Sequence, residues 1–151
     1  MNRKSSVPGQ EAEVLLVEDN PGDVRLVREL FSDAAITNTL HVATDEQEAL
    51  DFLNQRGEFT DAPRPDLVLL DWYLPRATGE DVLRAIRNDH ELEEVLVIVL
   101  TGSDAGEDFL NSPEIQFDAY LTKPIAPDEF VSLVRSFEFF WLTVLCSPSD
   151  S

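Results

Sequence analysis

Five residues capable of chemistry sit at or just past the ends of apolar runs. Glu18 and Asp19 follow Val14-Leu15-Leu16-Val17, Asp71 follows Leu67-Val68-Leu69-Leu70, and Thr101 follows Val95-Leu96-Val97-Ile98-Val99-Leu100. Lys123 lies two residues past the shorter stretch Phe117 to Leu121. Such runs read as strands, and unbroken ones as central strands covered on both faces. In open α/β sheets, ligand sites form at the carboxyl ends of the strands. Three carboxylates, a hydroxyl and an amine are therefore expected in one crevice. Clustered carboxylates repel one another unless a cation stands among them. Oxygen donors without a nearby His or Cys suit a hard cation such as Mg²⁺. Asp71, at the tip of the most buried-looking strand, is the natural nucleophile, since a carboxylate accepts a phosphoryl group as an acyl phosphate. Charge on the transferred group is stabilised by position and electrostatics, here by Mg²⁺, Lys123 and the Thr101 hydroxyl.

These residues need elements to position them. Leu40 to Thr44 reads as a fifth, weaker strand. Helical spacing marks Pro21 to Ala34 (Val24, Val27, Leu30, Phe31), with Asn20 as N-cap and Pro21 at the first helical position. It also marks Asp45 to Gln55 (Ala49, Leu50, Leu53), Gly79 to Asp89 (Val82, Leu83, Ile86) and Asp128 to Val144 (Phe130, Leu133, Val134, Phe137, Trp141). Between Asp104 and Gln116, Gly106 and Pro113 leave room only for a short fourth helix. Strand and helix alternate five times, the pattern of an open parallel sheet with helices on both faces. One domain is expected over residues 13–145, with a polar tail at 1–12, a polar end at 146–151 and no output module.

Composition narrows the partners. The chain has 151 residues, 11 Lys+Arg against 30 Asp+Glu, and a formal net charge of −19. Such a field repels nucleic acid and anionic membrane surfaces. Nine of the basic residues are Arg; the two lysines are Lys4, in the tail, and Lys123. Acid-rich, lysine-poor usage resembles proteins of salt-loving archaea, because molar salt shortens the Debye length to about 3 Å and screens self-repulsion. The remaining acids are expected to be solvated surface. A lone Cys146 excludes an internal disulfide and a cysteine-based zinc site. No apolar segment suits a secretory signal or a membrane span, so a soluble, cytoplasmic protein is expected. His41 and His90 have no ligand partners at useful spacing.

The motifs resemble the receiver domain of two-component response regulators. The resemblance is carried by Val14-Leu15-Leu16-Val17-Glu18-Asp19-Asn20, Asp71-Trp72-Tyr73-Leu74-Pro75 with Gly79, Thr101-Gly102, and Tyr120-Leu121-Thr122-Lys123-Pro124, in that order. The intervals match too: 30 residues from Asp71 to Thr101 and 22 from Thr101 to Lys123. The likeness implies a flavodoxin-like, doubly wound five-stranded parallel sheet of order 2-1-3-4-5. It implies phosphorylation of Asp71 by a sensor histidine kinase, with self-catalysed phosphorylation and dephosphorylation and no outside substrate. Asp19 and Asp71 resemble direct Mg²⁺ ligands, Glu18 a ligand through water, and the Tyr73 carbonyl the third protein ligand. Lys123 resembles the phosphate-binding lysine, joined to Pro124 by a cis bond. Thr101 and Tyr120 resemble the switch pair, Tyr120 turning inward as Thr101 meets the phosphoryl group. Kinase contact falls by resemblance on Val24 to Arg28 and Pro124 to Pro127. Glu18 to Asp23, the loop Arg56 to Pro65 and Phe140-Trp141-Leu142 further resemble cyanobacterial phytochrome response regulators and stand-alone haloarchaeal receivers.

The last helical segment carries more apolar surface than one buried stripe needs. Phe137, Phe139, Phe140, Trp141, Leu142 and Leu145 are therefore candidates for a homodimer interface. Two other functions compete with the switch. A haloacid-dehalogenase-like phosphatase also uses Asp, Thr, Lys and Mg²⁺, but wants a second Asp two residues after the nucleophile, where Tyr73 stands. An unphosphorylated interaction module on the receiver fold would not need the intact set of acids, Thr101 and Lys123. The downstream target is not written in the sequence.

Overall fold

The computed structural model describes residues 12–33, 38–74, 77–102 and 117–136. The apolar runs form β1 (Ala12–Val17), β3 (Leu67–Asp71) and β6 (Leu96–Gly102), and the weaker ones form β2 (Asn38–Ala43) and β7 (Ala119–Lys123). All pairings among them are parallel, in the order β2-β1-β3-β6-β7. Counted in chain order within the sheet, this is the expected 2-1-3-4-5.

Two-residue alternation along the strands explains why the central runs are unbroken. Val14, Leu16, Leu67, Leu69, Ile98 and Leu100 face one core. There they meet Val27, Leu30 and Phe31 of α1 (Pro21–Asp33) and Phe130 of α4 (Pro127–Ser136). Phe31 and Phe130 pack edge to face at 5.1 Å, joining the two helices. Leu15, Val17, Val68, Leu70, Val97 and Val99 face the opposite core. It is closed by Ala49, Phe52 and Leu53 of α2 (Glu46–Leu53) and by Val82, Leu83 and Ile86 of α3 (Glu80–Arg87).

Several details differ from the sequence expectation. β7 starts and ends two residues later than Phe117 to Leu121, because Asp118 serves as a bracket. Its backbone N–H donates to the Val97 carbonyl (2.9 Å), and its carboxylate accepts from Val97 N–H (2.7 Å) and Arg87 (3.0 Å). Lys123 is thereby the last residue of the strand. Asp45 precedes α2 as its cap and accepts from Glu48 N–H at 2.8 Å. A short antiparallel ribbon, β4 (Tyr73–Leu74) with β5 (Ala77–Thr78), follows β3; strands of two residues leave no periodic trace. Nor are all the acids outside the site solvated surface. Asp66 is fully buried and accepts from Glu13 N–H at 2.9 Å, tying the start of β1 to β3. The tails, the short helix expected between Asp104 and Gln116, and Phe137, Phe139, Phe140, Trp141, Leu142 and Leu145 lie outside the described residues. Among those described, no helix is long and apolar enough to cross a membrane.

Candidate metal and phosphoryl site

The chain end of each central strand delivers one part of the site. Beyond β1, Glu18 extends the ladder through its N–H to the Ala43 carbonyl (2.9 Å), which holds its side chain inside the fold at 1% exposure. The chain then turns: Asn20 N–H donates to Glu18 Oε2 (3.1 Å), and Asn20 Oδ1 accepts from Asp23 N–H (3.0 Å) as the N-cap of α1. Asp71 ends β3, buried, opposite Leu100 of β6. Tyr73 N–H donates to its Oδ1 at 3.0 Å, fixing the carboxylate plane. Behind Asp71 the chain passes so closely that a Cβ on Gly79 would meet Leu70 Cγ at 3.0 Å and the Asp71 carbonyl oxygen at 3.1 Å. Only glycine leaves the strand end undisturbed there.

Lys123 closes the site from β7. Its Nζ donates to Glu18 Oε1 (2.7 Å), Asp23 Oδ2 (3.0 Å) and Asp71 Oδ2 (3.1 Å). The peptide bond to Pro124 is cis. Carboxylate oxygens of Glu18, Asp19 and Asp71 all lie within 4.8 Å of one another. Thr101, one residue past the partner of Asp71 on β6, is buried and donates to the Gly102 carbonyl at 3.3 Å. Tyr120 points outward, 47% exposed, against the edge of Phe117 at 6.4 Å. The Tyr73 side chain is equally exposed.

The electrostatics are those of a site short of positive charge. Burial pushes Glu18 up to about 7, against the pull of the Lys123 hydrogen bond and with the negative charge of Asp71 adding to the rise. Burial also acts to lower Lys123, but its hydrogen bonds to Glu18 and Asp23 and the charge of Asp71 outweigh this and hold it above the ordinary lysine range. Its neighbours thus favour the charged form of Lys123. Four carboxylates (Glu18, Asp19, Asp23, Asp71) against one ammonium leave a charge of −3 when all are ionised. An all-oxygen donor set with that deficit fits a hard divalent cation.

The sequence reading placed Glu18, Asp19, Asp71, Thr101 and Lys123 at this end of the sheet; the structure brings Glu18, Asp19, Asp71 and Lys123 together from three strand ends and sets Thr101 near the end of a fourth, β6. Asp23 was missed. The available signal was the cap: with Asn20 as N-cap, Asp23 falls at the third helical position, in the first turn of α1 and beside β7.

A doubly wound sheet with paired acids after β1, an acid ending β3, a hydroxyl near the end of β6 and a lysine ending β7 defines a receiver-type signalling domain. Residues 14–135 match the family profile of the response regulator receiver domain, and the chain belongs to that family. It is a receiver-domain response regulator, a phosphorylation-dependent signalling switch. The response regulator Rcp1 of Synechocystis sp. is 38% identical over 136 residues, covering 90% of this chain and 92% of that protein. The Mn²⁺-bound form of Rcp1 superposes with a TM-score of 0.72 at 37% identity, covering 91% of this chain and 99% of that one. The phosphorylated cyanobacterial phytochrome response regulator RcpA superposes at 0.73 with 34% identity, covering 91% and 99%.

Proposed function

We propose that Asp71 accepts a phosphoryl group from a sensor histidine kinase in the presence of Mg²⁺, and that the change is read on the β7–α4 side of the domain. The observation that carries this reading is the meeting of Asp71, Glu18 and Lys123 within hydrogen-bond reach from three separate strand ends. The metal-bound and phosphorylated structures of the two similar regulators support it. An Asp71 carboxylate oxygen attacks phosphorus in line, the P–N bond to the kinase imidazole breaks, and the nitrogen keeps the electron pair. Glu18, Asp19 and Asp71, with the Tyr73 carbonyl, would hold the cation, which when bound neutralises charge on the phosphoryl oxygens. Lys123 offers a fixed positive charge on another side. The Thr101 hydroxyl exchanges the Gly102 carbonyl for a phosphoryl oxygen, and Tyr120 turns inward from its exposed position as the two-state equilibrium shifts.

The same pocket returns the switch to rest when water attacks phosphorus, breaks the bond to Asp71 and releases inorganic phosphate. Tyr73 stands beside that path with its side chain in solvent. Tyr73→Asn is expected to shorten the phosphoryl lifetime about fivefold, equivalent to about 1 kcal/mol of barrier. An unchanged decay of radiolabelled protein would refute a role for the tyrosine.

The direct test of the whole reading is acetyl phosphate with Mg²⁺ followed by intact mass. The acetyl–phosphate P–O bond breaks, acetate leaves, and one phosphoryl group is gained; an unlabelled wild type overturns the reading. Tyr120, Leu121, Thr122 and Leu133 line a cleft of about 670 Å³ between β7 and α4. We infer a homodimer through this side, extended by Phe137, Phe139, Phe140, Trp141, Leu142 and Leu145. A monomeric mass by light scattering, with and without a phosphoryl analogue, would exclude it. The acid excess supports a cytoplasm of high ionic strength as the working environment.

A further inference from the structure

Lys123 has more claims on it than it has protons to give. An ammonium offers three donors, and all three are used, by Glu18, Asp23 and Asp71. A phosphoryl group on Asp71 needs one of them. Glu18 cannot give its share up cheaply, because its carboxylate is buried and no water replaces the lysine. Asp71 is itself the loaded residue. Asp23 remains, 35% exposed at the rim, where water takes over its hydrogen bond.

We propose that Asp23 is a positioning residue that holds Lys123 back from the phosphoryl group and must release it when Asp71 is loaded. The inference rests on the reading of Asp71 as phosphoryl acceptor and adds a restraint on how readily the loaded state forms. The chain from Glu18 to Asp23 is built to present this carboxylate. Asn20 ties the turn at both ends, through Glu18 Oε2 and Asp23 N–H, and its carbonyl accepts from Val24 N–H at 3.0 Å. Gly22 leaves the cap space, since a Cβ there would come within 3.1 Å of Asn20 Oδ1. The first turn of a helix favours a negative charge at this position. Asp23 is therefore a fixed competitor for Lys123, aimed across 100 residues of sequence at the end of β7.

The test is binding of beryllofluoride with Mg²⁺, a non-covalent stand-in for the phosphoryl group, measured by calorimetry. Asp23→Asn is expected to bind it about fivefold tighter than wild type, the scale of a part-exposed ion pair. Tighter binding is a gain that a merely structural defect would not produce. Asp23→Ser is expected to do the same and guards against a folding fault peculiar to one variant. Asp128→Asn removes the same charge from an exposed residue in the first turn of α4, five positions after Lys123, and is expected to leave the affinity within twofold. If both Asp23 variants bind like wild type or more weakly, or if Asp128→Asn tightens binding as much, the inference is overturned while the reading of Asp71 stands. A wild type that binds no beryllofluoride overturns both.

Discussion

Asp71→Asn is expected to gain no mass from acetyl phosphate and Mg²⁺, under conditions where the wild type gains one phosphoryl group. An amide oxygen is uncharged and its electrons are shared with nitrogen, so attack on phosphorus should slow by at least about 10³-fold, some 4 kcal/mol of barrier. Loss of labelling would not reflect loss of fold. Asn keeps an oxygen for Tyr73 N–H, which now donates to Asp71 Oδ1 at 3.0 Å, and although it gives up the Oδ2 acceptor of Lys123, that lysine retains Glu18 and Asp23. It also removes a negative charge from beside Glu18, which burial first and the charge of Asp71 next push up to about 7. The thermal midpoint should therefore hold or rise by a few degrees, a gain of roughly 1 kcal/mol bought at the cost of function. Labelling of the variant would move the acceptor to another carboxylate, with Glu18 and Asp19, both within 4.8 Å, the candidates.

The second large effect is on stability. Lys123→Ala, in the absence of divalent cation, should lower the free energy of unfolding by about 3 kcal/mol, because it strands a buried carboxylate without its partner. Glu18 bears most of this, being almost wholly enclosed and bonded to Lys123 at 2.7 Å. Protonation of Glu18 softens the loss and sets its upper limit. A divalent cation supplies the missing charge, so Mg²⁺ should raise the variant's denaturation midpoint more than the wild type's. Equal midpoints for the two proteins in chelator would show that Lys123 carries no structural load. Equal responses to Mg²⁺ would separate the lysine from the cation site.

How much of this was legible in the sequence depends on the range of each signal. Val14 to Val17 and Leu67 to Leu70 announced central strands because both faces are covered, so no polar residue interrupts them. Asn20-Pro21 announced the start of α1 because capping is local. The convergence of the acids and Lys123 is legible because parallel strands place all their carboxyl ends on one side. What escaped was set by contacts distant in sequence. Asp23 looks like ordinary first-turn decoration until β7 arrives beside it. Phe52 was absent from the expected core face of α2, yet it packs on Phe59 at 5.6 Å and on His41 at 5.0 Å, neighbours supplied by a short 3₁₀ turn and an edge strand. His41 itself, which has no ligand partner at useful spacing in the sequence, bonds Glu13 across 28 residues at 2.8 Å. Gln55 adopts a positive φ of 57° and donates to the Ala62 carbonyl, a loop closure that no residue pattern encodes.

The sheet gives the site one stiff wall and one compliant one. Glu18 and Asp71 sit at the ends of β1 and β3, each laced to neighbours on both sides, whereas among the described residues β7 is paired only with β6. Tension between Lys123 and a charge on Asp71 therefore pulls against unequal supports, and the displacement falls on the strand with a single row of lateral bonds. That strand also carries Tyr120 and leads directly into α4. On the proposed reading of Asp71, a pull at one atom of the crevice would in this way become movement at the outer edge, with the interior strands acting as the anvil.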